Sequence, residues 1–145
     1  MGNNKMKIKC KKIVGGITKG KLLFSDQPIN FLAMLNLKTG QIMDTNHNLN
    51  NISLKNNILV FPNAIGSSVG AYTIFSLKNN NTSPNGIICT NSVDITTASG
   101  CAISNIPLVY IEKNNYEILK NHHKEKGKHG YDVVLDAENE NIVLN

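Results

Sequence analysis

The stretch Ile58-Leu-Val-Phe-Pro-Asn-Ala-Ile-Gly-Ser-Ser-Val-Gly-Ala-Tyr72 decides the fold. Ile58 to Phe61 is a short apolar run halted at Pro62, which predicts a buried strand. From Val69 to Leu77 apolar residues recur at helical spacing, and the tight turn Gly66-Ser67-Ser68 lies between the two. In a strand, turn, helix unit such a turn sits at the helix N-terminus. Unpaired backbone N–H groups and the positive end of the helix dipole face outward there, so the corner attracts anions. Two hydroxyls at that corner can cap the helix, hold a carboxylate or phosphate, or take part in chemistry. Serine is a favoured cap, so capping and catalysis stand as alternatives at this point.

The rest of the composition narrows the field. A chain of 145 residues with 41% apolar content predicts one domain, residues 1–145, with room for a real core and a single site. No run reaches the 18 or more apolar residues of a membrane span, and the Lys- and Asn-rich N-terminus lacks the apolar centre of a signal peptide, which predicts a cytoplasmic chain with no membrane partner. Cys10, Cys89 and Cys101 are odd in number and widely spaced without a CxxC pair, so they predict buried free thiols rather than a disulfide framework or a metal knuckle. The net charge of +5 rests on fifteen Lys and no Arg. Without the planar fork of Arg, any anion must be held by backbone N–H groups, hydroxyls, Lys or another subunit. Aromatic content of 6% and the missing Arg argue against base stacking or base readout, hence against a nucleic-acid partner.

Along the chain, Met6 to Val14 alternates Lys with apolar residues and predicts one strand with a wet face. Gly15-Gly-Ile-Thr-Lys-Gly-Lys21 has the glycine and lysine spacing of a phosphate loop. Leu22, however, stands where Ser or Thr would hold magnesium, so the segment reads as a turn into a second strand, Lys21 to Phe24. Ser25 to Pro28 is a turn, Ile29 to Leu37 reads as extended, Lys38-Thr-Gly40 as a hairpin-like turn, and Asn46 to Asn51 as a polar loop around His47 and Leu49. Gly86 to Thr90 predicts a second buried strand, Ile95 to Gly100 a short helix or turn, and Ile103 to Ile111 the lead into a third strand. Asn121 to His129 reads as a charged loop, and Tyr131 to Leu135 with Asn141 to Leu144 as a final hairpin. The pattern predicts an α/β fold. Its expected form is a mixed sheet or barrel with one or two helices on a face, parallel in the middle and antiparallel in the N-terminal third.

Three constellations could carry chemistry. Gly66-Ser-Ser-Val-Gly70 matches the G-x-S-x-G nucleophile elbow with Ser68 as nucleophile, and Asp94 or Glu112 with His122 or His123 would complete a hydrolase triad in chain order. The chain is short for that fold; a serine hydrolase stands as the alternative function. His122, His123 and His129 could hold zinc, although Lys surrounds them and a solvated loop is the simpler reading. The third constellation is the Gly66 turn itself, read as the seat of a base.

That third reading gains from a resemblance. Ser25-Asp-Gln-Pro-Ile-Asn-Phe-Leu32, Lys38-Thr-Gly40, Asp44, His47 with Leu49, Ile58-Leu-Val-Phe-Pro62, Gly66-Ser-Ser68 and Ser99-Gly-Cys-Ala-Ile-Ser-Asn-Ile-Pro-Leu-Val109 together resemble, in order, the small subunit of the aconitase X family. The resemblance implies a swivelling β/β/α domain that closes over a large aconitase-like catalytic subunit. It also implies hydro-lyase activity on a phosphorylated hydroxy acid, since archaeal members of the family are phosphomevalonate dehydratases; other aconitase X enzymes dehydrate hydroxyprolines. By the same resemblance Ser67 is the catalytic base, and Ser68, Gly66 and Val69 are expected to bind substrate, with Ser68 and the N–H groups of Ser68 and Val69 holding the substrate carboxylate or the alkoxide. A four-iron, four-sulfur cluster is expected in the large subunit, with no metal on this chain. The sequence departs from the family where Ala33-Met-Leu-Asn36 replaces a Gly-Gly-Val-Asp-like string and Asn63-Ala-Ile-Gly-Ser67 replaces a Gly-Arg-Gly-Ser-like string. The second change removes an Arg that could hold substrate.

Overall fold

The computed structural model describes residues 5–126 and 130–144. Among the described residues nine strands and four helices follow in the order β1 (Met6–Lys9), β2 (Lys11–Val14), β3 (Ile17–Gly20), β4 (Leu22–Phe24), α1 (Phe31–Met34), β5 (Ile58–Phe61), α2 (Gly70–Asn79), β6 (Gly86–Cys89), α3 (Ile95–Ser104), β7 (Leu108–Tyr110), α4 (Lys113–Lys126), β8 (Val133–Asp136) and β9 (Asn141–Leu144). They build two sheets, a five-stranded one in the order β2-β7-β6-β5-β4 and a four-stranded one in the order β1-β9-β8-β3.

The predicted central strand, β5, shows why the layers stack as they do. All four of its residues are buried, so it has no wet face, as expected of a parallel strand covered on both sides. Because side chains alternate, Leu59 and Phe61 enter one core with Phe31, Ile74, Cys101 and Ile106, beneath the helices. Ile58 and Val60 enter the other, with Ile8, Val133, Leu135, Ile142 and Leu144 of the small sheet. The result is a β/β/α sandwich, the predicted class, with α2 and α3 and the short turn α1 over the outer face of the large sheet. α4 closes the inter-sheet core through Leu119 and Tyr116. β4, β5, β6 and β7 run parallel, as the repeated strand and helix pattern predicts.

Several expectations need correction. Met6 to Val14 is not one strand: β1 pairs with β9 in the small sheet and β2 with β7 in the large one. The chain changes layers at Cys10, whose N–H donates to Glu140 O at 3.1 Å. Period-2 alternation continues across such a step, so it is invisible in sequence. The same step recurs at Lys21, where β3, read above as part of a turn, hands over to β4. The N-terminal antiparallel pairing is real, but its partners are strands from the far end of the chain. Ile29 to Leu37 is not extended throughout, because Asn30 Oδ1 accepts the Ala33 N–H and starts the helical turn α1. α3 runs one turn past Gly100, taking in Ile103, and ends on Asn105 with φ 54°. Residues 121–126 are helix rather than loop, the last turns of α4, which buries only Leu119 along one edge and therefore shows little apolar signal. His129 lies outside the described residues.

Candidate functional site

The strand, turn, helix unit forms as the sequence predicts, and the turn stands at the C-terminal end of the parallel strands, where open α/β sheets place ligands. Beyond Phe61 the chain is held by neighbours on both sides. Ile29 N–H donates to Asn63 O (3.3 Å) and Ile65 N–H to Ile29 O (3.0 Å). On the other side Thr90 N–H reaches Phe61 O (3.0 Å) and Asn91 N–H reaches Pro62 O (3.1 Å). The segment thus enters Gly66 from a fixed direction.

Gly66 has φ +88°, a conformation that side chains with a Cβ rarely adopt, and a Cβ there would overlap the Asn30 carboxamide. Ser67 and Ser68 follow, both exposed. Ser67 Oγ accepts the Val69 N–H at 3.1 Å, while Ser67 O and Ser68 O accept the first N–H groups of α2, from Gly70 (3.0 Å) and Ala71 (3.1 Å). Gly70 lets three elements converge: a Cβ there would stand 3.1 Å from Thr96 of α3 and 3.3 Å from Phe31 of α1. Neither α2 nor α3 carries an acidic residue in its first turn, and no residue from Asn57 to Leu77 is charged. The positive end of α2 therefore faces the corner with no carboxylate in its first turn, whereas the start of α3 is capped by the Asp94 carboxylate. Around the serines stands a rim of exposed apolar side chains, Leu32, Ile65, Val69, Tyr72 and Ile95, of which Ile95 is 74% exposed.

Of the residues assigned to the site by resemblance, Gly66, Ser67, Ser68 and Val69 lie together in this turn. Val69 N–H, expected to face either substrate or alkoxide, is directed at Ser67 Oγ. Two participants are less evident from sequence. Asn30 caps α1 and packs on Gly66. Asp94 caps α3 through Thr97 N–H (2.8 Å) and also accepts the Ala64 N–H (2.8 Å). The Asp-x-x-Thr spacing signals the cap but not the second bond. Behind Asn30, His47 is buried; its Nδ1 accepts the Leu49 N–H (3.0 Å), so Nε2 carries the proton and donates to Pro28 O (3.1 Å).

The hydrolase triad does not assemble. Both Asp94 oxygens are taken by Ala64 and Thr97, His122 Nδ1 bonds the Tyr131 hydroxyl at 2.8 Å, and His123 stacks on Phe24 with centroids 4.7 Å apart. Among the described residues no polar contact joins Ser68 to a histidine. The zinc reading fares no better for His122 and His123, whose partners are aromatic rings, and no group of three or more His, Cys, Asp or Glu able to hold a metal occurs among the described residues.

Nor do the three thiols fit an iron–sulfur cluster, whose ligands must be thiolates. Cys89 and Cys101 are fully buried in the helix-side core. Burial, then the Asp94 carboxylate, pushes the Cys89 thiol up to about 12; burial, then Cys89 and Asp94, pushes Cys101 higher still. Cys10, half-buried in the other layer, is pushed up to about 12 by burial, then by Glu140 and Asp136. All three are thus held as neutral thiols.

The chain is similar to known proteins over most of its length. The family model of the aconitase X swivel domain matches residues 7–140. A phosphomevalonate dehydratase small subunit from Methanococcoides burtonii is 40% identical over 117 residues, covering 80% of this chain and 85% of the relative. Another from Methanosarcina acetivorans is 37% identical over 140 residues, 94% of this chain and 96% of that one. The crystal structure of Thermococcus kodakaraensis aconitase X in its holo form superposes with a TM-score of 0.80 at 34% identity, covering 97% of this chain and 99% of that one.

Proposed function

The chain belongs to the aconitase X swivel-domain family, and from that premise we propose that it is the small subunit of a hydro-lyase that dehydrates 5-phosphomevalonate to trans-anhydromevalonate 5-phosphate and water. The observation that carries the reading is the Gly66-Ser67-Ser68 corner: an exposed serine oxygen held by a backbone N–H, at the N-terminus of α2, beside uncovered apolar side chains. The whole chain acts as one swivelling domain in the cytoplasm and closes over a large subunit.

Dehydration of a 3-hydroxy acid requires loss of a proton beside the carboxylate and departure of the hydroxyl. In this reading Ser67, as the alkoxide, takes the proton. Ser68 and the open corner hold the substrate carboxylate, and Gly66 lets the backbone approach it. The hydroxyl leaves to a Lewis acid, which an aconitase-like large subunit would supply from its iron–sulfur cluster. Magnitudes indicate how the work divides. One hydrogen bond to a charged oxygen contributes about 1.5–3 kcal/mol. At 1.36 kcal/mol per pKa unit, the Val69 N–H lowers the serine hydroxyl by about one to two units. That is too little for a free serine at neutral pH, so the remainder must come from the closed, drier cleft against the partner. Without that partner Ser67 should be inert. With no Arg in the sequence, the substrate phosphate meets cations of the large subunit.

The test is Ser67→Ala in the complex reconstituted with the large subunit. Turnover should vanish while assembly persists, and a variant retaining most of the rate would remove Ser67 as the base. Hydroxyprolines assayed beside 5-phosphomevalonate separate the two substrate classes of the family.

A further inference from the structure

We infer that Asp94 is a positioning residue for Ser67, acting through Ala64, and not merely the cap of α3. Capping uses one oxygen: Oδ2 accepts the Thr97 N–H at 2.8 Å. Serine, threonine or asparagine would serve that purpose as well. The second oxygen, Oδ1, reaches thirty residues back along the chain to accept the Ala64 N–H at 2.8 Å. The fully buried Thr97 hydroxyl lies 2.9 Å from one oxygen and 3.0 Å from the other, which holds the carboxylate plane in place for both tasks.

The location makes this second bond matter. The segment after β6 follows β5 as far as Pro62, whose carbonyl accepts from the Asn91 and Ser92 N–H groups, and among the described residues no backbone group continues the pairing beyond it on that side. Ile29 occupies one side of the extension, through the Asn63 carbonyl and the Ile65 N–H. The Ala64 N–H points to the other side, where Asp94 stands in for the missing strand. Ala64 precedes Gly66 by two residues, and Gly66 sets the direction in which Ser67 leaves the turn. Ser67 Oγ meets the Val69 N–H two residues on, and where that local pair stands over the start of α2 follows from the direction in which the turn is entered. α2 itself rests on α3 at Gly70 and Thr96, next to the Asp94 cap. One carboxylate thus fixes the strand side of the corner to the same helix end that supports its helix side.

This inference rests on Ser67 being the base, and the test separates the two. Asp94→Ser, in the complex with the large subunit, keeps an acceptor for Thr97 N–H but is too short to reach Ala64. The complex should assemble, with a melting temperature within a few degrees of the unaltered protein. kcat should fall at least tenfold with KM within twofold, and the pH of half-maximal kcat should move upward, because an alkoxide less firmly met by Val69 N–H forms at higher pH. Asp94→Asn, nearly isosteric, can accept from only one of the two N–H groups and should give a smaller loss, about three- to tenfold, with a displacement of the same sign. A kcat within twofold of normal in both variants, or a loss with no displacement of the pH profile, overturns the inference. Where Ser67→Ala keeps its rate, the proposed function itself fails, whatever Asp94→Ser does.

Discussion

Gly66 is where backbone and chemistry meet most tightly. Its φ of +88° and the Asn30 carboxamide against its Cα each exclude a side chain. A residue forced into a positive-φ conformation costs about 1–2 kcal/mol, before any displacement of Asn30. Gly66→Ala should therefore lower the unfolding free energy by at least that amount in urea titration and reduce turnover of the complex more than a hundredfold, since Ser67 leaves the same turn. Normal activity in a correctly folded variant would show that the turn need not keep its shape. The glycine and the two serines were legible in sequence because Gly-Ser-Ser between a strand and a helix has few structural uses. Asn30 was not: in a chain this rich in Asn, one more before an apolar run carries no distinguishing mark. Nor could the sequence choose between capping and chemistry for Ser67. The geometry shows that the bond that orders the turn, Val69 N–H to Ser67 Oγ, is the same one that would stabilise an alkoxide.

At the level of elements, legibility follows burial. β5 and β6, covered on both faces, read as apolar runs, and the final hairpin reads by alternation. The steps between sheets at Cys10 and Lys21 leave no trace, because a strand that changes layer keeps the same side-chain period. α4 was hidden for a different reason: it fully buries Leu119 alone, packs Tyr116, His122 and His123 only in part, and is otherwise rich in Lys, Glu and Asn. One pH-sensitive contact of α4 is His123 on Phe24, where burial, and secondarily the neighbouring His122, holds the imidazole below its ordinary value of 6.5. The unfolded chain binds a proton there before the folded one does, so stability is undiminished above about pH 6.5 and falls as the pH drops through the lowered folded value. His123→Phe keeps the stacked ring and removes the proton. Its melting temperature should fall less between pH 7 and pH 5 than that of the unaltered chain; an equal fall in both would place the acid sensitivity elsewhere.

The whole molecule presents one face that does not suit a lone protein in water. Leu32, Ile65, Val69, Tyr72 and Ile95 are exposed near the serine corner, in a part of the chain where no residue from Asn57 to Leu77 is charged. Clustered exposure of this kind marks a surface that is covered in the working assembly. In this reading the apolar rim seals the cleft against water when the large subunit docks, and sealing is what lets a weak acid such as Ser67 serve as a base. Ile95 allows the idea to be tested without disturbing the fold. It is 74% exposed and is the first residue of α3, where a carboxylate interacts favourably with the helix dipole. The Ile95→Asp carboxylate gains from the dipole but is repelled by Asp94 beside it, so thermal stability should stay within about 1 kcal/mol of the unaltered protein. In the docked state the same carboxylate would be taken out of water beside apolar groups, so the affinity for the large subunit, measured by calorimetric titration, should drop at least tenfold, which corresponds to about 1.4 kcal/mol. Turnover at saturating partner concentration should recover, because Ser67 and its hydrogen bond are untouched. Unchanged affinity would mean that the rim faces solvent even in the complex, and the cleft would need another seal.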